Sequence, residues 1–194
     1  MNFYDEILIK ARNDAKKEKY NSLETGMYVG EEFITFQKTF LFDHKCSIYL
    51  PENFEEMKLE WKKIKYPYES RPQIIFMDDS GSVNLAFSLL KPDIEPINLS
   101  ETRDGFMIIL KKMNSANVFL DKGNIEAINV SCAWCEMRSQ NLDGSIYNLI
   151  FLSEINHKLL LGNFSCLNEE RISWKHIVFK LIQSICEEEQ YEGK

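Results

Sequence analysis

The sequence predicts an α+β fold with a central antiparallel β-sheet flanked by helices on both faces. Short apolar segments alternate with tight polar turns at residues 78–81, 121–124, 142–145 and 156–158, which is the pattern of antiparallel strands. The segment 145–153 is apolar at odd and even positions alike, so both of its faces need to be covered. One long amphipathic helix closes the chain.

The length and composition of the chain favour one globular domain. It has 194 residues, of which 44% are hydrophobic, and a chain of this size buries roughly 70% of its unfolded surface without a metal or disulfide. Residues 1–30 mix basic and acidic side chains and are predicted to form a loosely packed N-terminal arm. The folded domain is predicted at 31–188 and a solvated tail at 189–194.

The charge pattern excludes some classes of partner. A net charge of −7 argues against nucleic-acid binding, because phosphate neutralisation needs a surplus of Lys and Arg. Asp5 and Glu6 stand where a secretory signal would be basic, and no apolar run approaches the ~18 residues of a membrane span. These features predict a cytoplasmic protein. The five cysteines are an odd number in mostly apolar segments, which indicates reduced, buried thiols.

The first half of the chain is predicted to contain two strands and a helix. Residues 32–36 and 45–50 have the aromatic and alternating patterns of strands. Asn53 and Glu56 have the spacing of a capping box, which predicts a helix from Asn53 that ends before Pro67. The helix face predicted to contact the core consists of Met57, Trp61 and Ile64.

The second half is predicted to contain a hairpin, two helices and four more strands. The hairpin pairs 73–77 with 83–89. Ser100 is predicted to cap a helix whose apolar face consists of Phe106, Ile109, Leu110 and Met113. The four strands are predicted at 116–120, 127–139, 145–153 and 158–166. The last helix is predicted to begin at Asn168, and its apolar face consists of Trp174, Ile177, Val178, Leu181, Ile182 and Ile185.

This order of elements resembles the PsbP-like superfamily, which includes the Mog-type Ran-binding import factors and bacterial secretion-adaptor relatives. The resemblance rests on the segments 50–54, 66–72, 79–81, 142–144 and 164–166, followed by the helix around Trp174. The chain looks most similar to uncharacterised single-domain bacterial members, over roughly residues 33 to 186. The resemblance implies a sheet sandwiched by helices and a function in binding other proteins, with no catalytic residues to carry over.

Two cysteine patterns suggest chemistry, and both have a simpler structural explanation. Cys132 and Cys135 form a C-x-x-C pattern, but residues three apart in a strand face opposite ways, so their sulfurs are not expected to meet. A zinc site that recruits Cys166 and His176 lacks a second pair of closely spaced ligands. Buried core thiols are the favoured interpretation.

Two further patterns point to catalysis only superficially. His44 and Cys46 lie two residues apart and could form a Cys–His dyad, which needs a third group to orient it; Asp43 is adjacent, but adjacency in sequence is poor evidence for that role. Asp78 and Asp79 resemble a pair of catalytic carboxylates, although Asp-Ser-Gly is common turn chemistry. The sequence therefore predicts no catalytic residue, no metal site and no cofactor.

The loop 66–72 is the predicted binding site. It contains two prolines and two tyrosines; Tyr and Arg are enriched at binding hot spots, and proline limits the entropy lost on binding. The predicted binding residues are Tyr66, Tyr68, Glu69 and Arg71. In the alternative interpretation the tyrosines cover the core and the arginine pairs with a nearby acid.

These observations predict a non-catalytic protein-interaction module, of an adaptor or immunity type, whose partner is another protein. Two alternatives stay open. A small-molecule or lipid pocket between sheet and helices is compatible with 13 Phe, 8 Tyr and 3 Trp. An unrecognised enzyme requires a cleft in which titratable groups converge.

Overall fold

The computed structural model describes residues 19–69, 71–91, 97–141 and 144–189. Their elements, in chain order, are β1 (Asn21–Ser22), β2 (Gly26–Val29), β3 (Glu32–Ile34), β4 (Phe36–Leu41), β5 (Cys46–Pro51), β6 (Glu55–Glu56), α1 (Leu59–Lys65), β7 (Ile74–Met77), β8 (Asn84–Leu90), α2 (Leu99–Met113), β9 (Val118–Glu126), β10 (Ser131–Asn141), β11 (Gly144–Ile155), β12 (Lys158–Leu167), a 3₁₀ turn (Asn168–Glu170), α3 (Arg171–Gln183) and β13 (Cys186–Glu187).

The described strands form three antiparallel sheets, which confirms the predicted α+β class. The large sheet has seven strands in the order β6-β7-β8-β12-β11-β10-β9. Two small sheets have the orders β1-β2-β3 and β13-β5-β4. The strand predicted at 32–36 is wrong as a single unit, because it is divided between β3 and β4 in different small sheets. The strand predicted at 45–50 corresponds to β5, which also lies outside the large sheet.

The largest core cluster joins the large sheet, the β13-β5-β4 sheet and α3. The predicted apolar face of the last helix is confirmed, because Trp174, Ile177, Val178, Leu181, Ile182 and Ile185 are all buried. A 3₁₀ turn begins at Asn168, and the α-helix follows from Arg171. The predicted hairpin of 73–77 with 83–89 is also confirmed as β7 and β8, whose register pairs Met77 with Asn84.

Strand β11 is buried on both faces, as its two-sided apolar pattern predicts. Leu149 and Phe151 belong to the largest cluster. Ile150, between them, belongs to a smaller cluster with Cys135 and Met137. Side chains alternate across a strand, so the two clusters lie on opposite faces of the large sheet.

The helix predicted from Asn53 is wrong at its start and on its faces. Residues 55–56 form β6 and pair with β7, and α1 begins only at Leu59. The side chain that α1 buries is Lys62, whose Nζ donates to Glu56 Oε1 at 2.9 Å and to Gln73 O at 3.1 Å. Trp61 and Ile64, which were predicted to face the core, are 59% and 74% exposed. Glu56, one of the two predicted capping-box residues, belongs to the edge strand β6 instead, and the hydrogen bonds of Lys62 hold that side of α1 inward.

The helix predicted to start at Ser100 is capped instead by Asn98, whose side chain accepts from the Glu101 N–H at 3.2 Å. Its buried side is also different from the prediction. Arg103 is buried and donates to Gly123 O at 2.9 Å, whereas the predicted core residues Ile109 and Met113 are exposed. A buried arginine with a backbone partner therefore sets the orientation of α2. Residues 92–96, which precede α2, lie outside the described residues.

The turn predicted at 121–124 is wrong, because β9 runs through it and the reversal occurs at residues 127–130. Gly123 is required for packing, since a Cβ there would lie 2.8 Å from the Trp134 ring on β10. The turn at 156–158 is confirmed, with positive φ angles at Asn156 and His157 that match a two-residue hairpin turn. Residues 142–143 of the remaining predicted turn lie outside the described residues.

The predicted domain boundaries at 30/31 and 188/189 stay a prediction, but the structure describes residues close to each of them. Strands β1 and β2 fall within the predicted arm, and Met27 of β2 is buried in the largest cluster. Residues 1–18 of the arm and 190–194 of the tail lie outside the described residues. At the predicted C-terminal end of the domain, β13 pairs with β5, and Glu188 Oε1 lies 2.7 Å from Lys38 Nζ.

Gly162 of β12 provides a test of this packing. It pairs with the fully buried Phe151, and a Cβ at Gly162 would lie 2.0 Å from Phe151 Cζ. We expect Gly162→Ala to lower the free energy of unfolding by about 1–3 kcal/mol, because the ring has no free space to move into. Gly105→Ala in α2, where no atom lies within 4 Å, is the control and is expected to raise it by about 0.4–1 kcal/mol. Urea denaturation measures both; equal effects would contradict the described packing.

Candidate functional site

Two adjoining cavities lie at the start of α3 and share Gly30 and Ser173 in their linings. We call them together the α3 groove. The first cavity has a volume of about 420 Å³. The second has a volume of about 450 Å³. Both are within the size range of ligand sites in proteins.

The first cavity combines carboxylates with an apolar floor. Its acidic lining residues are Glu32, Asp78, Asp79 and Glu170. The floor is formed by Phe54, Val83 and Trp174. The rings of Phe54 and Trp174 lie 6.0 Å apart, and both are buried in the largest cluster. A rigid aromatic floor fixes where an entering group can sit.

The β7–β8 turn positions two of these carboxylates. Asp78 Oδ1 accepts from the Val83 N–H at 2.9 Å, and Asp78 O accepts from the Gly81 N–H at 2.9 Å. Gly81 has a φ of +70°, which glycine adopts without strain. Asp78 is therefore held by the turn, as its sequence pattern predicts, whereas Asp79 is exposed at the rim.

Glu170 is the carboxylate in the least favourable surroundings. Its Oε2 has no accessible surface and no hydrogen-bond partner among the described residues. Burial raises the pKa of Glu170, and the nearby charges of Asp78 and Glu169 raise it further. A cation in the cavity would relieve both effects.

The second cavity is aromatic and carries little charge. Its lining includes Tyr20, Tyr28, Ile172 and His176. The rings of Tyr20 and Tyr28 meet edge-on at 6.5 Å, and Ile172 is exposed. Burial and the charge of Lys180 lower the pKa of His176, which favours the neutral imidazole. The described linings of the two cavities include no Lys or Arg.

The C-x-x-C pattern does not bring its sulfurs together. Cys132 belongs to the largest cluster and Cys135 to the cluster beneath α2, on the opposite face of the sheet. Burial raises the pKa of each thiol to about 11. Such thiols are poor nucleophiles at neutral pH.

The other candidate residues are also separated or inactive. Burial raises the pKa of Cys46 to about 12, and His44 lies in a turn beside the Phe40 ring. Cys166 is fully buried, and burial raises its pKa to about 12, whereas His176 lines the second cavity of the α3 groove. Among the described residues no group of three His, Cys, Asp or Glu side chains has the geometry of a metal site.

The predicted binding loop separates into a packed part and an exposed part. Tyr66 packs on the cluster of Met57, Ile75 and Ala86, and burial raises the pKa of its phenol. Tyr68 is 77% exposed, and Glu69 is also exposed. Arg71 Nε donates to Tyr68 O at 3.0 Å, which closes the loop on itself. Binding by this loop stays a prediction.

Sequence reasoning did not identify the α3 groove. The sequence predicts Asp78 and Asp79 in a turn, which is correct locally, and it identifies no role for Glu170. Nothing in the sequence places these residues beside one another or over Trp174.

No family model and no curated protein matches this sequence. Solved structures do match. Cyanobacterial PsbP (CyanoP) from Synechocystis sp. PCC 6803 has a TM-score of 0.58 and 12% identity, covering 81% of this chain and 95% of that chain. The Ran-binding protein Mog1p of Saccharomyces cerevisiae has a TM-score of 0.53 and 8% identity, covering 79% of this chain and 96% of that chain.

These matches show the fold of the protein. It is an α+β protein of antiparallel sheets. Its fold is that of the PsbP/Mog1 family, which confirms the resemblance seen in the sequence. At these identities the similarity concerns the fold alone. No helix among the described residues is long and apolar enough to cross a membrane.

Proposed function

We propose that this protein is a non-catalytic interaction module whose α3 groove binds a basic segment of another protein. The observation that carries the proposal is the first cavity, where four carboxylates surround an aromatic floor with no cation in its described lining. A Lys or Arg side chain would bury its apolar stem against Phe54 and Trp174 and place its charge near Glu170. A neighbouring apolar side chain would enter the second cavity.

Three further observations support a basic protein partner. The net charge of −7 favours association with a positively charged surface. The same charge disfavours nucleic acid. Mog1p, which shares the fold, is described as a Ran-binding protein. We include in the same proposal an adaptor or immunity role in the cytoplasm. Fractionation of native cells that finds the protein in another compartment would contradict the proposed location.

The layered arrangement of the fold is part of the proposal. We infer that α3 covers one face of the large sheet and α2 covers the other. Leu149 shares a cluster with α3, and the adjacent Ile150 packs in a cluster with Leu110 of α2. A crystal structure in which α2 is displaced from Ile150 would contradict this inference.

Selection from a random peptide library tests the groove without knowledge of the partner. We expect peptides that carry Arg or Lys beside an apolar residue to be enriched on the wild-type chain. The variant E32K/D79K reverses two exposed rim charges, and we expect it to weaken peptide binding by at least about tenfold. Titration calorimetry measures the affinities. Affinity is also expected to fall on acidification, because the pKa of Glu170 is raised and its protonation removes a negative charge from the groove.

The matched control is E101K/D121K, which makes the same charge change at two exposed carboxylates away from the groove. It is expected to retain peptide binding within about twofold, because long-range charge effects are screened by salt. Equal losses of peptide affinity in the two variants would show that net charge, and not the groove, causes the effect, which would contradict the proposal. Enrichment of acidic peptides would also overturn it.

A small amphipathic molecule is the second candidate ligand. The aromatic lining of the second cavity, with Tyr20 and Tyr28, favours it. Native mass spectrometry of protein purified from its own host distinguishes the two functions. A stoichiometric small ligand that is lost in Tyr28→Ala would favour this alternative over a peptide.

A further inference from the structure

Helix α1 turns its apolar side chains outward and buries the side chain of Lys62. Leu59, Trp61, Ile64 and Tyr68 are exposed at 60%, 59%, 74% and 77%, and we call these four side chains the α1 surface. On the opposite side, Lys62 is only 7% exposed. Four large exposed apolar residues within ten positions are unusual for the surface of a soluble monomer.

The contacts of the lysines make this orientation specific. Lys62 Nζ is bonded to Glu56 Oε1 and Gln73 O, as described above. Lys65 Nζ donates to Gly81 O at 2.7 Å and to Asn84 Oδ1 at 3.1 Å. Rotating α1 to bury Trp61 would break four hydrogen bonds, so the outward face is the stable one.

The α1 surface carries exposed charges of both signs at each of its ends, with Lys58 and Glu60 at the first end and Lys63 and Glu69 at the second. Glu60 lies in the first turn, and Lys63 lies in the last turn beside the two anchored lysines. Both are exposed, and a spacing of three residues puts them on the same side of the helix. A partner of one charge sign would be repelled by some of these charges.

We propose that the α1 surface is the contact by which two copies of this chain associate about a two-fold axis. Such an interface must be self-complementary, because each copy presents the same patch. An antiparallel pair of α1 helices packs Trp61 and Ile64 at the centre. It brings Glu60 of each copy opposite Lys63 of the other. The inference is independent of the α3 groove.

Sedimentation equilibrium on the full chain, from about 1 µM to about 500 µM, tests the association. We expect a monomer–dimer equilibrium. Ile64→Asp is expected to weaken it by at least about tenfold, because it places a charge at the apolar centre. Ile128→Asp makes the same change at another exposed isoleucine and is expected to leave the equilibrium unchanged. A monomer at every concentration, or equal effects of the two substitutions, would overturn the proposal.

Charge reversal separates self-association from other uses of the surface. Glu60→Lys and Lys63→Glu should each weaken association, because each puts like charges opposite one another. A mixture of the two single variants should associate again, since each facing pair of positions 60 and 63 would then combine one cation with one anion. Circular dichroism verifies that each variant is folded. Failure of the mixture to associate would contradict the antiparallel arrangement.

Discussion

Replacing both cations that hold Glu136, in the variant R171M/K175M, is expected to lower the free energy of unfolding by about 3–5 kcal/mol. Glu136 on β10 is fully buried. Arg171 Nη2 lies 3.0 Å from its Oε2, and Lys175 Nζ lies 2.5 Å from its Oε1 without hydrogen-bond alignment. Both cations are on α3 and partly exposed, and they neutralise a carboxylate that is buried in the large sheet. Without them, a buried carboxylate would be left unpaired.

A third substitution separates the loss of an ion pair from the loss of side-chain packing. E136L/R171M/K175M removes the buried charge together with its partners, and we expect it to recover most of the lost stability. Guanidinium denaturation measures all three chains. A triple variant as unstable as the double variant would show that packing of the Arg171 side chain, which also lies over the Tyr147 ring, is the main contribution.

Trp174→Ala is the second substitution with a large expected effect, a loss of about 3–5 kcal/mol in the free energy of unfolding. Trp174 is 4% exposed, and its ring lies 6.0 Å from Phe54 and 5.5 Å from Phe164. The substitution would open a cavity between α3, the large sheet and the segment before β6. It would also remove the floor of the α3 groove, so peptide binding is expected to be lost with it.

Trp61→Ala is the matched control for this prediction. Trp61 is on the α1 surface, so its removal is expected to change stability by less than about 0.5 kcal/mol. Thermal unfolding at the lowest usable protein concentration compares the two variants without a contribution from self-association. Comparable losses would mean that Trp61 is buried, which would contradict the described orientation of α1.

The two tryptophans also show how far the sequence predicts this fold. Both lie in segments with helical spacing of apolar residues. In α3 the apolar face has five buried members between Trp174 and Ile182, and their burial orients the helix. In α1 the apolar face has few members, and hydrogen bonds of Lys62 and Lys65 to residues 11 to 19 positions later decide the orientation. Those bonds have no signature in the local sequence.

Glycine positions show the same distinction. Gly81 was placed correctly in a turn, because its pattern Asp-Ser-Gly acts through neighbouring residues. Gly123 was placed in a turn by the same rule, but it is a strand residue beneath Trp134 on the adjacent strand. A glycine required by a tertiary contact and one required by a turn look alike in the sequence.

The α3 groove could not be predicted for a related reason. Its lining comes from residues 20–34, 53–54, 78–83 and 170–176, which are distant in the chain. The sequence predicts binding at the loop 66–72 because Tyr, Pro and Arg are close together there. Prediction from local composition identifies binding sites whose residues come from one segment, and the α3 groove is not such a site.

By itself, the sequence determined the α+β class, the β7–β8 and β11–β12 hairpins and the buried face of α3. Each depends on residues within a few positions of one another, where periodicity and turn preference decide the conformation. Only the tertiary structure decided that α1 is turned outward, that the strands divide into three sheets and that four carboxylates share one cavity. These features depend on contacts between distant segments, whose energies appear only when the chain is folded.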